Sequence, residues 1–434
     1  MNKIIFLISS LVIIGNSLFA QQLTLEECVN MALENNRNIK QQELSKSQRE
    51  IAYLQARNEY LPDLNASSGQ SFIFGRSIGL DNTYQNTNSS QTTFGVGANI
   101  TLFDGLRIKN NIDAKRAELG AANADLAKFK EDITLSVATA FLNILLQKEL
   151  LKIAQNQIEL TDINIEQRQK LINNGKLAQG EIYELQAQRA KEVQNSVQTE
   201  SNLKLALLDL AQIIELTDFA NFDVVATEVD TVMKNILTVL PDEAFQMALV
   251  NRPEMEAATL RVKSSEKNVA VTKSSLYPKL YLGANMNTGY YRMSNLPNPG
   301  FDEQLRNNIS NSVGLNLQIP IFNRFQNKNN IKMAKLNVEN SILELDKAKI
   351  DLRKRIEQAY HNALSAESRW QAAQKSEVAA NEAMRFTQEK FDNGRSNSYE
   401  LYLAKTNLAN SQSDVSQAKF EYLFRIKILE LLQN

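Results

Sequence analysis

The sequence predicts a mainly α-helical chain that carries a membrane β-barrel and is organised as an internal duplication. Three observations predict it. The second half repeats the first. Each copy holds two strands of about ten residues with one apolar and one small or polar face, the length and dyad pattern of a barrel strand. Each copy also holds a proline-free helical run longer than globular domains contain. The formal net charge of -1 and the 22% of charged residues exclude a polybasic nucleic-acid binder and an acidic disordered tail.

Met1 to Ala20 reads as a secretory signal peptide, with a basic start at Lys3, an apolar stretch from Ile4 to Phe19 and the small residue Ala20 at the cut. Leu18 is larger than the residue usual near such a cut, and the minority reading is an uncleaved anchor. The single cysteine, Cys28, follows Leu25, Glu26 and Glu27 rather than the small residues of a lipoprotein signal, and it has no partner for an intrachain disulfide. It is read as a thiol on the first short helix. Beyond residue 20 no stretch approaches the ~18 consecutive apolar residues of a membrane-spanning helix, so a chain that crosses a membrane must use strands.

The duplication is legible without gaps over long spans. MALENNRNI (31–39) lies over MALVNRPEM (247–255) at an offset of 216, which also superposes Pro62 on Pro278. Farther on the offset is 219, pairing Phe103 with Phe322, Phe141 with Tyr360, Gly175 with Gly394 and Tyr183 with Tyr402. The offset changes inside segments rich in Asn, Ser, Gly and Pro, which read as exposed loops. The copies are bounded as residues 21–239 and 240–434.

Within a copy, a short helix at about Thr24 to Asn35 precedes a second helix running to Pro62, the break between them being marked by Pro253 in the second copy. A strand hairpin follows at 64–103 and again at 280–322. Phe94, Val96, Ala98, Ile100 and Leu102 alternate with Gly95, Gly97, Asn99 and Thr101, while Val313, Leu315, Leu317, Ile319 and Ile321 alternate with Gly314, Asn316, Gln318 and Pro320. One such strand alone is better explained as half of a sheet lying on a soluble core. Four of them favour the membrane.

From about Asp104 to Asn173 runs a helix of ~70 residues, about 100 Å at 1.5 Å per residue. Asn174-Gly175 ends it, as Asn393-Gly394 ends its counterpart. A return helix reaches Leu216, and an equatorial linker at 215–239 holds a possible small strand over Phe222 to Val229. Narrow apolar stripes on otherwise polar helices suit a coiled-coil wall around water.

Four strands cannot close a barrel, whose smallest common form has eight, and in lipid every strand edge must be paired. Several chains must share one barrel; two would supply eight strands and three would supply twelve. The duplication, the helix ends before YLPDL and LYPKL, the strands ending in LFDG and IFNR, and the glycine turns together resemble the TolC family of bacterial outer-membrane efflux proteins over essentially the whole chain after residue 20. That resemblance implies a homotrimer in the outer membrane with a large periplasmic portion. In it, four strands per chain make a shared 12-stranded barrel, and long antiparallel coiled-coil helices make a trimeric α-barrel. It also implies an exit duct of a tripartite efflux or type I secretion system, whose partners are outer-membrane lipid, a periplasmic adaptor (membrane fusion) protein and an inner-membrane pump.

The family's tip turns carry a glycine and an acid six positions on, here Gly175 with Glu181 and Gly394 with Glu400. Resemblance makes Gly175, Lys176, Leu177, Gly394, Arg395 and Ser396 the turn and adaptor-contact residues, and Glu181, Glu400 and Phe391 the candidate gate. Aspartate is the commoner acid in the family, and Ser396 stands where an arginine can lock the gate. The purely structural explanation of Glu181 and Glu400 is an acid stabilised by the helix dipole, worth about 0.3–1 kcal/mol.

The sequence offers no cofactor site and no enzyme. There is no metal-ligand cluster around the lone His361, no Gly-x-Ser-x-Gly and no phosphate loop. His361 reads as a helix-surface residue, Trp370 as packing and Arg353-Lys354-Arg355 as a solvated face. The chief rival reading is a periplasmic coiled-coil scaffold or pump adaptor, which leaves the four dyad strands unexplained.

Overall fold

A computed structural model describes residues 21–78, 82–86, 88–176, 178–216, 222–225, 239–294 and 297–433. The signal peptide read over 1–20, Leu177 and most of the linker at 215–239 lie outside the described residues. In chain order the elements are β1 (Gln21–Leu23), α1 (Leu25–Asn35), α2 (Arg37–Asn58), β2 (Asp63–Ile73), β3 (Arg76–Ile78), β4 (Tyr84–Asn86), β5 (Ser89–Phe103), α3 (Arg107–Asn173), α4 (Gly180–Ile213), β6 (Phe222–Val224), α5 (Pro241–Asn251), α6 (Pro253–Lys273), β7 (Lys279–Met293), α7 (Phe301–Asn307), β8 (Ser310–Gln318), α8 (Gln326–Asp392) and α9 (Ser398–Gln433). They form two compact units, each drawing chain from both copies of the duplication.

One unit, Glu43–Leu126 with Pro253–Ile350, holds a four-stranded antiparallel sheet in the order β2-β5-β7-β8. The register carries the sequence alternation across all four strands. Leu64, Ala98, Ala284 and Val313 lie in one row, and Asn65, Gly97, Asn285 and Ser312 in the next. Because side chains alternate across the pleat, one face is apolar and the other small or polar. The apolar face stands exposed in this chain, Leu64 at 74% and Val313 at 76%. A sheet on a soluble core would bury it.

Two strand ends differ from the alternation. β8 stops at Gln318 rather than near 322, because its last partner, Lys279, is the first residue of β7 and Pro320 has no N–H to offer a ladder. At the other end β7 outruns β8, and side-chain amides stand in for the missing strand. Asn308 donates to the Gly289 carbonyl (2.8 Å), while Gln304 donates to the Tyr291 carbonyl and accepts its N–H (both 2.9 Å). Asn298 does the same for Met293.

The link from strand to long helix is a left-handed pair, Gly105 (φ 69°) and Leu106 (φ 65°), repeated 219 residues later by Arg324 (φ 54°) and Phe325 (φ 61°). A Cβ at Gly105 would also come within 2.8 Å of the Tyr277 Cβ. Asp104 stands before the helix rather than in it, its carboxylate accepting the Arg107 N–H at 2.9 Å, one of the donors a helix start leaves free. The helices of this unit follow the strand order. Arg107 of α3 pairs with Glu59 beside α2 (2.8 Å), Lys267 of α6 with Asp113 of α3 (2.8 Å), and Asn327 of α8 donates to the Ser275 carbonyl just after α6 (2.8 Å).

The second unit comprises the described residues up to Gln42, Ala127–Arg252 and Asp351–Asn434. Its core joins Cys28 and Ala32 of α1, Val137, Phe141 and Ile144 of α3, Leu210 of α4 and Phe222 and Val224 of β6. β6 pairs in parallel with β1, and Lys148 of α3 holds it by donating to the Val224 carbonyl (2.7 Å) and pairing with Asp223 (2.6 Å). Among the described residues one helix, α3, is long and apolar enough to cross a membrane by length and composition. A count of consecutive apolar residues misses it because Thr, Ser and Asn interrupt the run. Within that helix Val137, Phe141 and Ile144 pack in the core of this unit.

Asn36 and Arg252, equivalent at the offset of 216, each tie a short-helix junction to the end of a return helix. Asn36 donates to the Ile213 carbonyl at the end of α4 (2.9 Å) while its oxygen accepts the Asn38 N–H at the start of α2 (3.0 Å). Arg252 donates to the Leu431 carbonyl of α9 (2.8 Å) and pairs with Glu131 (2.9 Å). Either residue satisfies carbonyls that a helix end leaves without partners. Asn36 and Arg252 thus fasten the corresponding junctions of the two copies to the ends of their return helices.

Candidate gate at the helix turns

Both tip turns close in the same way. α3 ends with Gly175 at φ 72°, its N–H donating to the Ile172 carbonyl (2.8 Å) and that of Lys176 to Leu171 (2.9 Å). α8 ends with Gly394 at φ 71°, with Gly394 bonded to Phe391 (3.0 Å) and Arg395 to Lys390 (2.8 Å). These are paired six-to-one and five-to-two bonds that need a left-handed residue, which glycine takes without a Cβ penalty. Lys176 and Arg395 stand exposed just beyond.

Glu181 and Glu400 lie in the first turns of α4 and α9, where the helix dipole favours an acid. They hold separate partners. Glu400 accepts from the Ser396 hydroxyl (2.5 Å), and its own N–H donates to the Asn397 side chain (2.8 Å), so Ser396 ends the turn and orients the acid. Glu181 faces Arg168 of α3 at 3.7 Å.

Arg168 was not among the residues singled out from the sequence, and it organises the site. Its guanidinium lies over the Phe391 ring, 3.3 Å from the centroid, and donates to the Phe391 carbonyl at 3.2 Å. Both side chains are buried. Burial pushes the Arg168 guanidinium below its ordinary range, against the pull of Glu181 and Asp392. One residue of the first copy thereby joins the end of α8 to the start of α4.

Two to three turns farther from the turn on α3, Lys405 of α9 is 2% exposed. It donates to the Gln157 carbonyl (2.5 Å), to the Thr161 hydroxyl and to Glu192 of α4 (2.9 Å), and Thr161 donates to the same carboxylate at 2.6 Å. Burial holds its pKa below that of ordinary lysine, and the Glu192 carboxylate works against that shift. Asp162 and Arg189 form an ion pair beside it. The duplication held a signal for both cations: at the offset of 219, Arg168 lies over Thr387 and Lys405 over Gln186, so each charge exists in one copy only.

The other sequence candidates stay bland. Among the described residues no group of His, Cys, Asp and Glu could hold a metal. His361 is exposed with its ring edge-on to Tyr360, Trp370 stacks on Tyr422 at 5.6 Å, and Arg353 pairs with Glu357 and Asp242.

The profile of the outer membrane efflux protein family matches residues 28–214 and 244–426. The chain belongs to this family. As an outer membrane efflux protein it is a transport protein of the outer membrane and not an enzyme. Toxin and drug export protein A of Aggregatibacter actinomycetemcomitans is 20% identical over 420 residues, 92% of this chain and 83% of the relative. Outer membrane protein TolC of Escherichia coli K12 is 21% identical over 438 residues, 98% and 84% of the two chains. The solved structure of CusC superposes with a TM-score of 0.81 at 16% identity, covering 95% of this chain and 93% of that one.

Proposed function

We propose that this outer membrane efflux protein is the passive exit duct of a tripartite efflux or type I secretion system. It works as a homotrimer whose copies each add four strands to a 12-stranded barrel and line a periplasmic helical tube. Residues 21–239 and 240–434 act as two structural repeats joined by the linker at 215–239. The observation that carries the reading is the sheet itself: its apolar face is exposed and its edge strands β2 and β8 are unpaired on one side, which lipid tolerates only when other copies close the barrel.

The turns at Gly175 and Gly394 are the tip that a periplasmic adaptor protein grips, through Lys176, Leu177, Arg395 and Ser396, on behalf of an inner-membrane pump. Gating is movement of those helix ends, with Glu181, Glu400 and Phe391 at the gate and Arg168 as the latch that holds Phe391 and Glu181 together. No bond chemistry is involved.

Extraction and planar-bilayer recording test the reading. The protein should require detergent, run as an oligomer and conduct ions once the tip is loosened. Recovery as a soluble monomer from the periplasm would overturn it in favour of a coiled-coil scaffold.

A further inference from the structure

The apolar face of the sheet ends in a single charge. Under the duct reading, on which this inference rests, that face meets lipid, and the end of the sheet away from the long helices lies at the outer leaflet. Within β2, β5, β7 and β8 only Asp63, Lys279 and Arg292 are charged. Asp63 lies opposite Asn99 and Lys279 opposite Gln318, on the polar face at the helix end. Arg292 is the one charge on the apolar face, in the outermost row of that face with Ser90 and Phe72.

Its level is that of a headgroup. Leu280, Leu282, Ala284, Met286, Thr288 and Tyr290 precede Arg292 on the same face of β7. From Leu280 to Tyr290 the strand covers about 34 Å at ~3.4 Å per residue. At a tilt of ~40° that is about 26 Å along the membrane normal, which matches the ~25 Å apolar band of an outer-membrane barrel. The Thr288 hydroxyl is satisfied by the Leu305 carbonyl of α7 (2.6 Å), and the Tyr290 ring meets Phe301 edge-on at 5.3 Å. These two contacts seat α7 on the lipid face at the upper edge of the band, with Arg292 just above.

α7 brings a second cation to the same place. The carbonyl that Thr288 holds belongs to the peptide joining Leu305 to Arg306, in the last turn of α7. Arg292 and Arg306 are exposed, and among the described residues neither guanidinium has a carboxylate or ring partner, Asp302 and Glu303 in the first turn of α7 included. Elsewhere in this unit Arg49, Arg107 and Arg261 each hold a carboxylate. Two open guanidinium forks at headgroup level suit a phosphate, which arginine binds in a bidentate manner. Phe301, 46% exposed, offers apolar surface to the acyl chains beneath.

We infer that Arg292 and Arg306 form a binding site for the phosphate of an outer-leaflet glycolipid, on the outward face of the barrel beside α7. The test uses the full chain, extracted as the oligomer, delipidated and measured by native mass spectrometry against defined lipids. Bisphosphorylated lipid A should bind, and Arg292→Ala combined with Arg306→Ala should weaken that binding at least tenfold with the oligomer mass unchanged. Dephosphorylated lipid A should bind the unaltered protein as weakly as the intact lipid binds the double variant. Equal binding of lipid A by the two proteins, or no loss on dephosphorylation, would remove the site and leave the duct standing. Phosphatidylglycerol binding as tight as that of lipid A, and lost in the same variant, would overturn the glycolipid assignment. A soluble single chain that never enters the membrane would sink the duct, and the site with it.

Discussion

At the scale of single residues, the chain's one thiol and its one-sided cations behave differently for reasons of burial. Cys28 is enclosed by the core of its unit, and that burial, with Glu27 nearby, pushes its pKa from 9.0 up to about 11. Above pH 9 the unfolded thiol releases its proton while the folded one keeps it. The folded state then binds more protons, so stability should fall as pH rises from 9 to about 11. Cys28→Ala should flatten that decline in denaturation experiments, and iodoacetamide should label Cys28 at neutral pH only after unfolding. Arg168 is the opposite case, a buried charge stacked on a ring. Arg168→Ala should loosen the tip and raise the open probability of single channels. Arg168→Lys should not rescue it, because an ammonium has neither the plane that stacks on Phe391 nor the fork that reaches its carbonyl. Neither role was legible in the sequence, since the bond from Arg168 to Phe391 spans 223 residues and that from Lys405 to Gln157 spans 248. The uneven charge between copies is the only local trace they leave.

At the scale of elements, periodicity did most of the work. The long helices end at Gly175 and Gly394 as their sequence signals require, and the strands lie where apolar and small residues alternate. The errors sit at ends: β8 stops at Gln318 because its last partner, Lys279, is the first residue of β7 and because Pro320 just beyond cannot donate to a ladder. The bundle of α3, α4 and α9 is pinned by Lys405. Lys405→Met should destabilise it by about 3–5 kcal/mol, because Glu192 is left without its cation. Adding Glu192→Gln should restore most of that loss, as measured by thermal loss of the helical circular dichroism signal. The sheet predicts a contrast between neighbours. Ala98→Arg, on the apolar face, should cost about 2–4 kcal/mol of folding into lipid vesicles, and Asn99→Arg, one residue on and facing the other way, much less.

At the scale of the whole molecule, the proposed shared barrel makes the chain a part that is finished only by other parts. An exposed apolar sheet face and two open sheet edges are defects in a soluble monomer and complementary surfaces in a ring within a membrane. The sequence alone determined the long helices, the four strands of the main sheet, the duplication and the family, because these rest on local periodicity and on motifs that recur at a fixed offset; β1, β3, β4 and α7 were not legible in it. Only the tertiary structure decided which residues meet: Arg168 over Phe391, Lys405 among three helices, Asn36 and Arg252 on the return-helix ends, and the row of Leu64 beside Ala98, Ala284 and Val313. The physical reason is that a buried charge or a strand register takes its energy from partners tens to hundreds of residues away. A helix or an alternating strand takes its pattern from neighbours a few positions along the chain.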